Sequence, residues 1–138
     1  MNVNRVTLIS LSVNDLNQSR AFYEALGWVR ETELDDSVFF AMSGQKMMLY
    51  RRQKLAEDLG RPLSELGTGA MTLAQNFATE TEVDAAFNTA VDAGAEVLAR
   101  PAKVFWGGYS GMYADPDGHI WEVAMNPYWT LDEQGRLA

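Results

Sequence analysis

One carboxylate, Glu122, stands in an otherwise apolar run, Ile120-Trp121-Glu122-Val123-Ala124-Met125. Taking an acid out of water costs free energy unless it is paired, hydrogen-bonded or bound to a cation. Such a glutamate is a candidate to hold a ligand, to hold a metal or to move a proton, and an unpaired desolvated carboxyl group suits proton transfer near neutral pH. Strand alternation puts Ile120, Glu122 and Ala124 on one face and His119, Trp121, Val123 and Met125 on the other. His119 is the single histidine of the chain, and there is no cysteine. With that one histidine placed at a turn no Ser-His-Asp triad is expected, and the lack of cysteine excludes a thiolate metal site and a cysteine nucleophile. Just upstream, Phe105-Trp106-Gly107-Gly108-Tyr109 alternates aromatic bulk with glycine. Glycine permits close backbone approach and aromatic rings stack on flat ligands, so Trp106 and Tyr109 are candidate pocket-rim residues. The stretch lacks the lysine and following helix of a phosphate loop.

These residues need elements to position them. Asp115-Pro116-Asp117-Gly118 predicts a tight turn, with Pro116 presetting φ and Gly118 free to go left-handed. Gly111–Ala114 and His119–Met125 are then paired strands. Earlier, Arg5–Val13 predicts a strand, Asp15 and Gln18 a helix cap, and Leu16–Leu26 a helix with Phe22, Tyr23 and Leu26 on one stripe. Strands near Trp28–Leu34, Ser37–Met42 and Gln45–Arg51 follow. The order then recurs: strand Met71–Phe77, cap Thr79 with Glu82, helix Glu80–Ala93 burying Val83, Phe87 and Val91, and strands Glu96–Arg100, Gly111–Ala114 and His119–Met125. Matching Phe22 to Phe87 and Gly27 to Gly94 gives two βαβββ halves. The plan is a single α+β domain: module 1 at about 1–52, a linker at 53–69 containing a helical turn, module 2 at about 70–127, and a tail at 128–138 with little to pack.

The segments Leu11-Ser12-Val13-Asn14-Asp15-Leu16, Ser19–Trp28, Gly107–Gly111 and Ala114–Glu122 come in the order and spacing that resembles the vicinal oxygen chelate superfamily. That group includes glyoxalase I, bleomycin-resistance proteins and extradiol dioxygenases. The resemblance runs through about Pro127 and implies paired βαβββ modules whose mixed sheets curl around a cavity. In metal-dependent relatives four strands each supply one His, Gln or Glu. By resemblance Glu122 takes the last of those places, and the others fall near Leu8, Met48 and Met71, or one residue on at Ile9, Met47 and Thr72. None is a family-type ligand, the nearest donors being Gln45, Gln75 and Asn76. No metal residues and no cofactor are therefore expected, and a divalent metal is disfavoured.

The chain has 138 residues, 47% of them hydrophobic, and carries 11 basic against 19 acidic residues for a net charge of −8. Such a balance argues against nucleic acid or an anionic membrane as partner. No apolar run approaches the roughly 20 residues of a membrane span, the N-terminus reads as a strand, and the lack of cysteine suits a cytoplasmic protein. The expectation is a metal-free protein that binds a small organic ligand in a partly aromatic pocket, with Trp106, Tyr109, Glu122, Tyr50 and Met48 as ligand-binding candidates. The alternative is a lyase, isomerase or dioxygenase of the same superfamily, metal-dependent or with Glu122 as acid/base. Of Phe39 and Phe40, alternation lets only one face the cavity. A homodimer is expected from the resemblance.

Overall fold

Each half opens with a strand and a capped helix, and the caps set the register of the repeat. The Asp15 side chain accepts from the backbone N–H of Gln18 at 3.1 Å, starting α1 (Leu16–Ala25) after β1 (Leu8–Val13). The Thr79 hydroxyl accepts from Glu82 N–H at 3.1 Å, starting α3 (Glu80–Asp92) after β5 (Thr72–Asn76). There the Glu82 carboxylate reaches back one residue further than a capping box requires, accepting from Ala78 N–H. The computed structural model describes residues 3–138, which form two compact units divided between Gly67 and Thr68.

The first unit adds β2 (Arg30–Glu33), β3 (Ser37–Met42), β4 (Gln45–Arg51) and α2 (Arg52–Leu59). Its sheet runs β1-β4-β3-β2, with β1 parallel to β4 and the other pairs antiparallel. Leu11, Val13, Val38, Phe40, Met47 and Leu49 are buried beneath Leu16, Phe22 and Tyr23 of α1. Burying each large apolar side chain contributes about 1.5–3 kcal/mol. Tyr23, Trp28 and Phe40 meet edge-on or tilted, with ring centroids 6.0–6.2 Å apart. The region expected to be a linker with one helical turn holds a two-turn helix instead. Here α2 packs on β1 and β4, buries Ala56 and ends at Gly60 in the left-handed region. Arg52 ties it to the following loop by donating to the carbonyls of Leu63 and Leu66.

The second unit adds β6 (Glu96–Lys103), β7 (Tyr109–Ala114) and β8 (Ile120–Met125) in the order β5-β8-β7-β6, with β5 parallel to β8. Its helix α3 covers β6, β7 and β8, burying Val83, Phe87 and Ala90 against Tyr113, Trp121 and Val123. Ala90 takes the place expected for Val91, because the stripe steps three residues from Phe87. Counted from the caps, Phe87 corresponds to Tyr23, not Phe22: both lie eight residues past the cap, and both are fully buried. The Asp115–Gly118 turn forms as expected, with Gly118 at φ 87° and the buried Asp115 carboxylate accepting from the N–H groups of Asp117 and His119. In the tail, Leu131 and Leu137 form a bridge closed by Asp132 and Arg136.

The edge strand β6 runs past Arg100 to Lys103, and its pairing slips around Pro101, which is confined to an edge because it cannot donate to a ladder. A Cβ on Gly111 would lie 2.9 Å from the Pro101 ring and backbone nitrogen, whereas one on Gly67 would meet nothing within 4 Å. Gly111→Ala is expected to cost about 1–3 kcal/mol of unfolding free energy in urea, as overpacking does, while Gly67→Ala stays close to wild type.

Candidate functional site

The two sheets each leave one face away from their main helix, and the ladders state which residues share it. In the second unit Ala74, Glu122 and Met112 form one row across β5, β8 and β7, flanked by Thr72-Ile120-Ala114 and Asn76-Ala124-Ser110. In the first unit Ser10, Met48 and Phe39 form the row across β1, β4 and β3, flanked by Leu8-Lys46-Ala41 and Ser12-Tyr50-Ser37. Ser10 and Ala74 both stand five residues before their helix caps, so the rows correspond. Met48 thus takes the place in the first unit that Glu122 takes in the second, and Leu8 corresponds to Thr72.

That register corrects one position. Met71 precedes β5, is 58% exposed and has the opposite parity to the Glu122 face, which Thr72 shares. Leu8 and Met48 keep their expected faces, while Met47 is fully buried beneath α1. Phe39 shares the face of Met48, and Phe40 is buried on the other.

Glu122 is half-buried, and its carboxylate has no hydrogen bond or ion pair among the described residues. Its row partners, Met112 and Ala74, offer no strong donor. Tyr109 lies on the opposite face of that sheet, beside Gly111 and Tyr113, and its hydroxyl donates to Asp84 of α3 at 2.6 Å. The structure therefore does not bring Tyr109 and Glu122 together. Trp106 is half-buried and folded back on its own loop: a Cβ on Gly108 would lie 2.0 Å from the indole and 2.8 Å from the Met125 carbonyl. The glycine serves close approach, but of the protein's own ring, and the neighbouring Phe105 is the fully exposed aromatic. In the first unit Met48 and Tyr50 share one face two residues apart, and the Tyr50 hydroxyl donates to Asp58 of α2 at 2.6 Å. His119 donates its backbone N–H to Asp115 at the end of the turn, away from the Glu122 face.

A family model described as the Glyoxalase/Bleomycin resistance protein/Dioxygenase superfamily matches residues 3–123. The chain belongs to that superfamily. A glyoxalase-related enzyme from Fulvimarina pelagi is 35% identical, with a TM-score of 0.91 over 99% of this chain and 98% of that one. A lactoylglutathione lyase from Agrobacterium tumefaciens, 22% identical, shares the fold at a TM-score of 0.72 over 95% of this chain and 100% of its own. An uncharacterized Mycobacterium bovis protein is 44% identical over 47 residues, which are 34% of this chain and 31% of that protein.

The four strand places that the resemblance marks as ligand-bearing fall, by this register, at Leu8, Met48, Thr72 and Glu122: an alkyl group, a thioether, a hydroxyl and one carboxylate. A divalent cation takes three or four good donors, and this set does not fit one. Of the other donors considered, Gln45 gives its amide to the Val6 carbonyl and Gln75 lies on the α3 face opposite Val123. Asn76 alone of these shares the face of Glu122.

Sequence reasoning missed Met112, Asp58 and Asp84. The first was within reach, because a hairpin centred on Asp117 pairs residue 112 with 122. The two aspartates were not, since their tyrosine contacts cross from strand to helix. Their hydrogen bonds, followed by desolvation and nearby carboxylates, push Tyr50 and Tyr109 each up to about 12. The folded value lies above the ordinary value near 10, so the stabilisation is complete below pH ~10 and is lost as pH rises toward ~12. Asp58→Asn and Asp84→Asn are each expected to return one tyrosine toward the ordinary range in an ultraviolet tyrosinate titration.

Proposed function

We propose that the protein binds a small organic ligand without a metal, with Glu122 meeting a cationic or hydrogen-bond-donating group of that ligand. The observation that carries this reading is the Glu122 carboxylate, which has no partner among the described residues, on an otherwise weakly polar sheet face. A half-buried acid without a protein partner recovers its lost hydration when a ligand supplies the donor. The donor set at the four superfamily positions supports the metal-free part. In the first unit Met48 and the ring of Tyr50 share one face and supply apolar and stacking surface there, whereas Trp106 and Tyr109, packed on their own loop and on α3, leave the pocket-rim role. No described helix is long and apolar enough to cross a membrane, and the reading places the protein in the cytoplasm as a homodimer that covers exposed sheet edges.

A second reading keeps Glu122 but makes it a general acid/base in a metal-free lyase or isomerase. The 35% identity to the glyoxalase-related enzyme supports it. Both readings predict that planar organic cations raise the thermal midpoint of the native protein, because a ligand that binds only the folded state stabilises it. Glu122→Gln is expected to remove that stabilisation while leaving the ligand-free midpoint close to wild type. Equilibrium dialysis against nickel, zinc, manganese and iron is expected to show no tight stoichiometric binding. One metal per chain, lost in Glu122→Ala, would overturn the metal-free reading.

A further inference from the structure

A cavity of about 470 Å³ opens on the first unit, at the end of the sheet away from Tyr50 and Ser12. Leu8, Phe39 and Ala41 supply its apolar floor, and Met42 closes the end where β3 turns into β4. Its polar side is an ion pair between Lys46 and Glu31. Lys46 stands between Leu8 and Ala41 in one cross-strand row. Glu31 has an unusual origin: Arg30 pairs with Phe40 and Thr32 with Phe39, so Glu31 is the extra residue of a bulge in β2. A bulge re-aims a side chain, and this one sends the Glu31 carboxylate across β3 to accept from the Lys46 ammonium. An exposed ion pair adds little stability, so stability alone does not account for this arrangement. What the bulge creates is one positive and one negative group beside an apolar floor that solvent reaches, Leu8 being 41% exposed.

The geometry points to a binding site for a free α-amino acid with an aromatic or branched side chain. The ligand carboxylate takes the Lys46 ammonium, its ammonium takes the Glu31 carboxylate, and its side chain covers Leu8 and Phe39. Charge supports a zwitterion: the chain carries −8 and repels a net anion at long range, whereas a zwitterion presents no net charge. The site lies on the face of the first unit that also carries Met48 and uses no residue of the second unit, so its test through Lys46 and Glu31 is distinct from the test through Glu122.

The test titrates the full chain with L-phenylalanine, with 3-phenylpropionate, which lacks the ammonium, and with phenethylamine, which lacks the carboxylate. Calorimetry and backbone amide shifts at Ala41 report binding. L-Phenylalanine is expected to bind at least about tenfold tighter than either truncated probe. Lys46→Met and Glu31→Gln are each expected to weaken it by about tenfold or more. Ala41→Phe, which fills the floor and keeps the ion pair, abolishes binding with an unchanged circular dichroism spectrum. Failure of L-phenylalanine to bind, equal affinity for 3-phenylpropionate, or undiminished binding in Ala41→Phe would each overturn the assignment.

Discussion

Each unit depends on the parallel pairing of its first strand with its last, β1 with β4 and β5 with β8. A parallel neighbour cannot be reached by a tight turn; the chain crosses over through a helix and two further strands before it closes the ladder. That closure puts Ser10 beside Met48 and Ala74 beside Glu122. It also divides the side chains: one parity goes beneath the helix and the other faces away. A slip of one residue would exchange those sets, and full burial of Leu11, Val13, Met47 and Leu49 on one parity holds the register against it.

The helix-covered parity accounts for most of the buried apolar surface, and the other parity is free to carry chemistry. Glu122 and Met48 illustrate the division. They hold corresponding places in the two units, yet one is a carboxylate and the other a thioether. The duplicated backbone is therefore not a duplicated site. The first unit gathers apolar surface around the Lys46–Glu31 pair. The second presents one acid without a partner among the described residues.

The residues around the hairpin show how close packing redirects side chains that look functional. Trp106 lies on Gly108, Pro101 presses on Gly111, and Tyr109 is tied to α3 through Asp84. A glycine between aromatics is a signal of close approach, but it does not name what approaches. Here the protein's own ring does. Tyr109 read as a pocket-rim residue because it is an aromatic beside glycines that allow close approach, and its parity in β7 puts it on the α3 side instead.

The amino-acid sequence by itself determined the order of the eight strands and of α1 and α3, the two helix caps, the Asp115–Gly118 turn and the faces of β8, because caps, turns and alternation are local properties. It also carried the superfamily membership and the departure from its ligand pattern. Tertiary structure alone decided that Thr72, not Met71, shares the face of Glu122, that residues 52–59 form a packed helix, and that Glu31 meets Lys46 across an intervening strand. Those facts depend on ladder register, on a bulge and on helix docking. Each joins residues far apart along the chain, and no periodicity within a short window encodes such a pairing. The lone glutamate was legible from its neighbours; that no described residue partners it became visible only when the sheet around it was assembled.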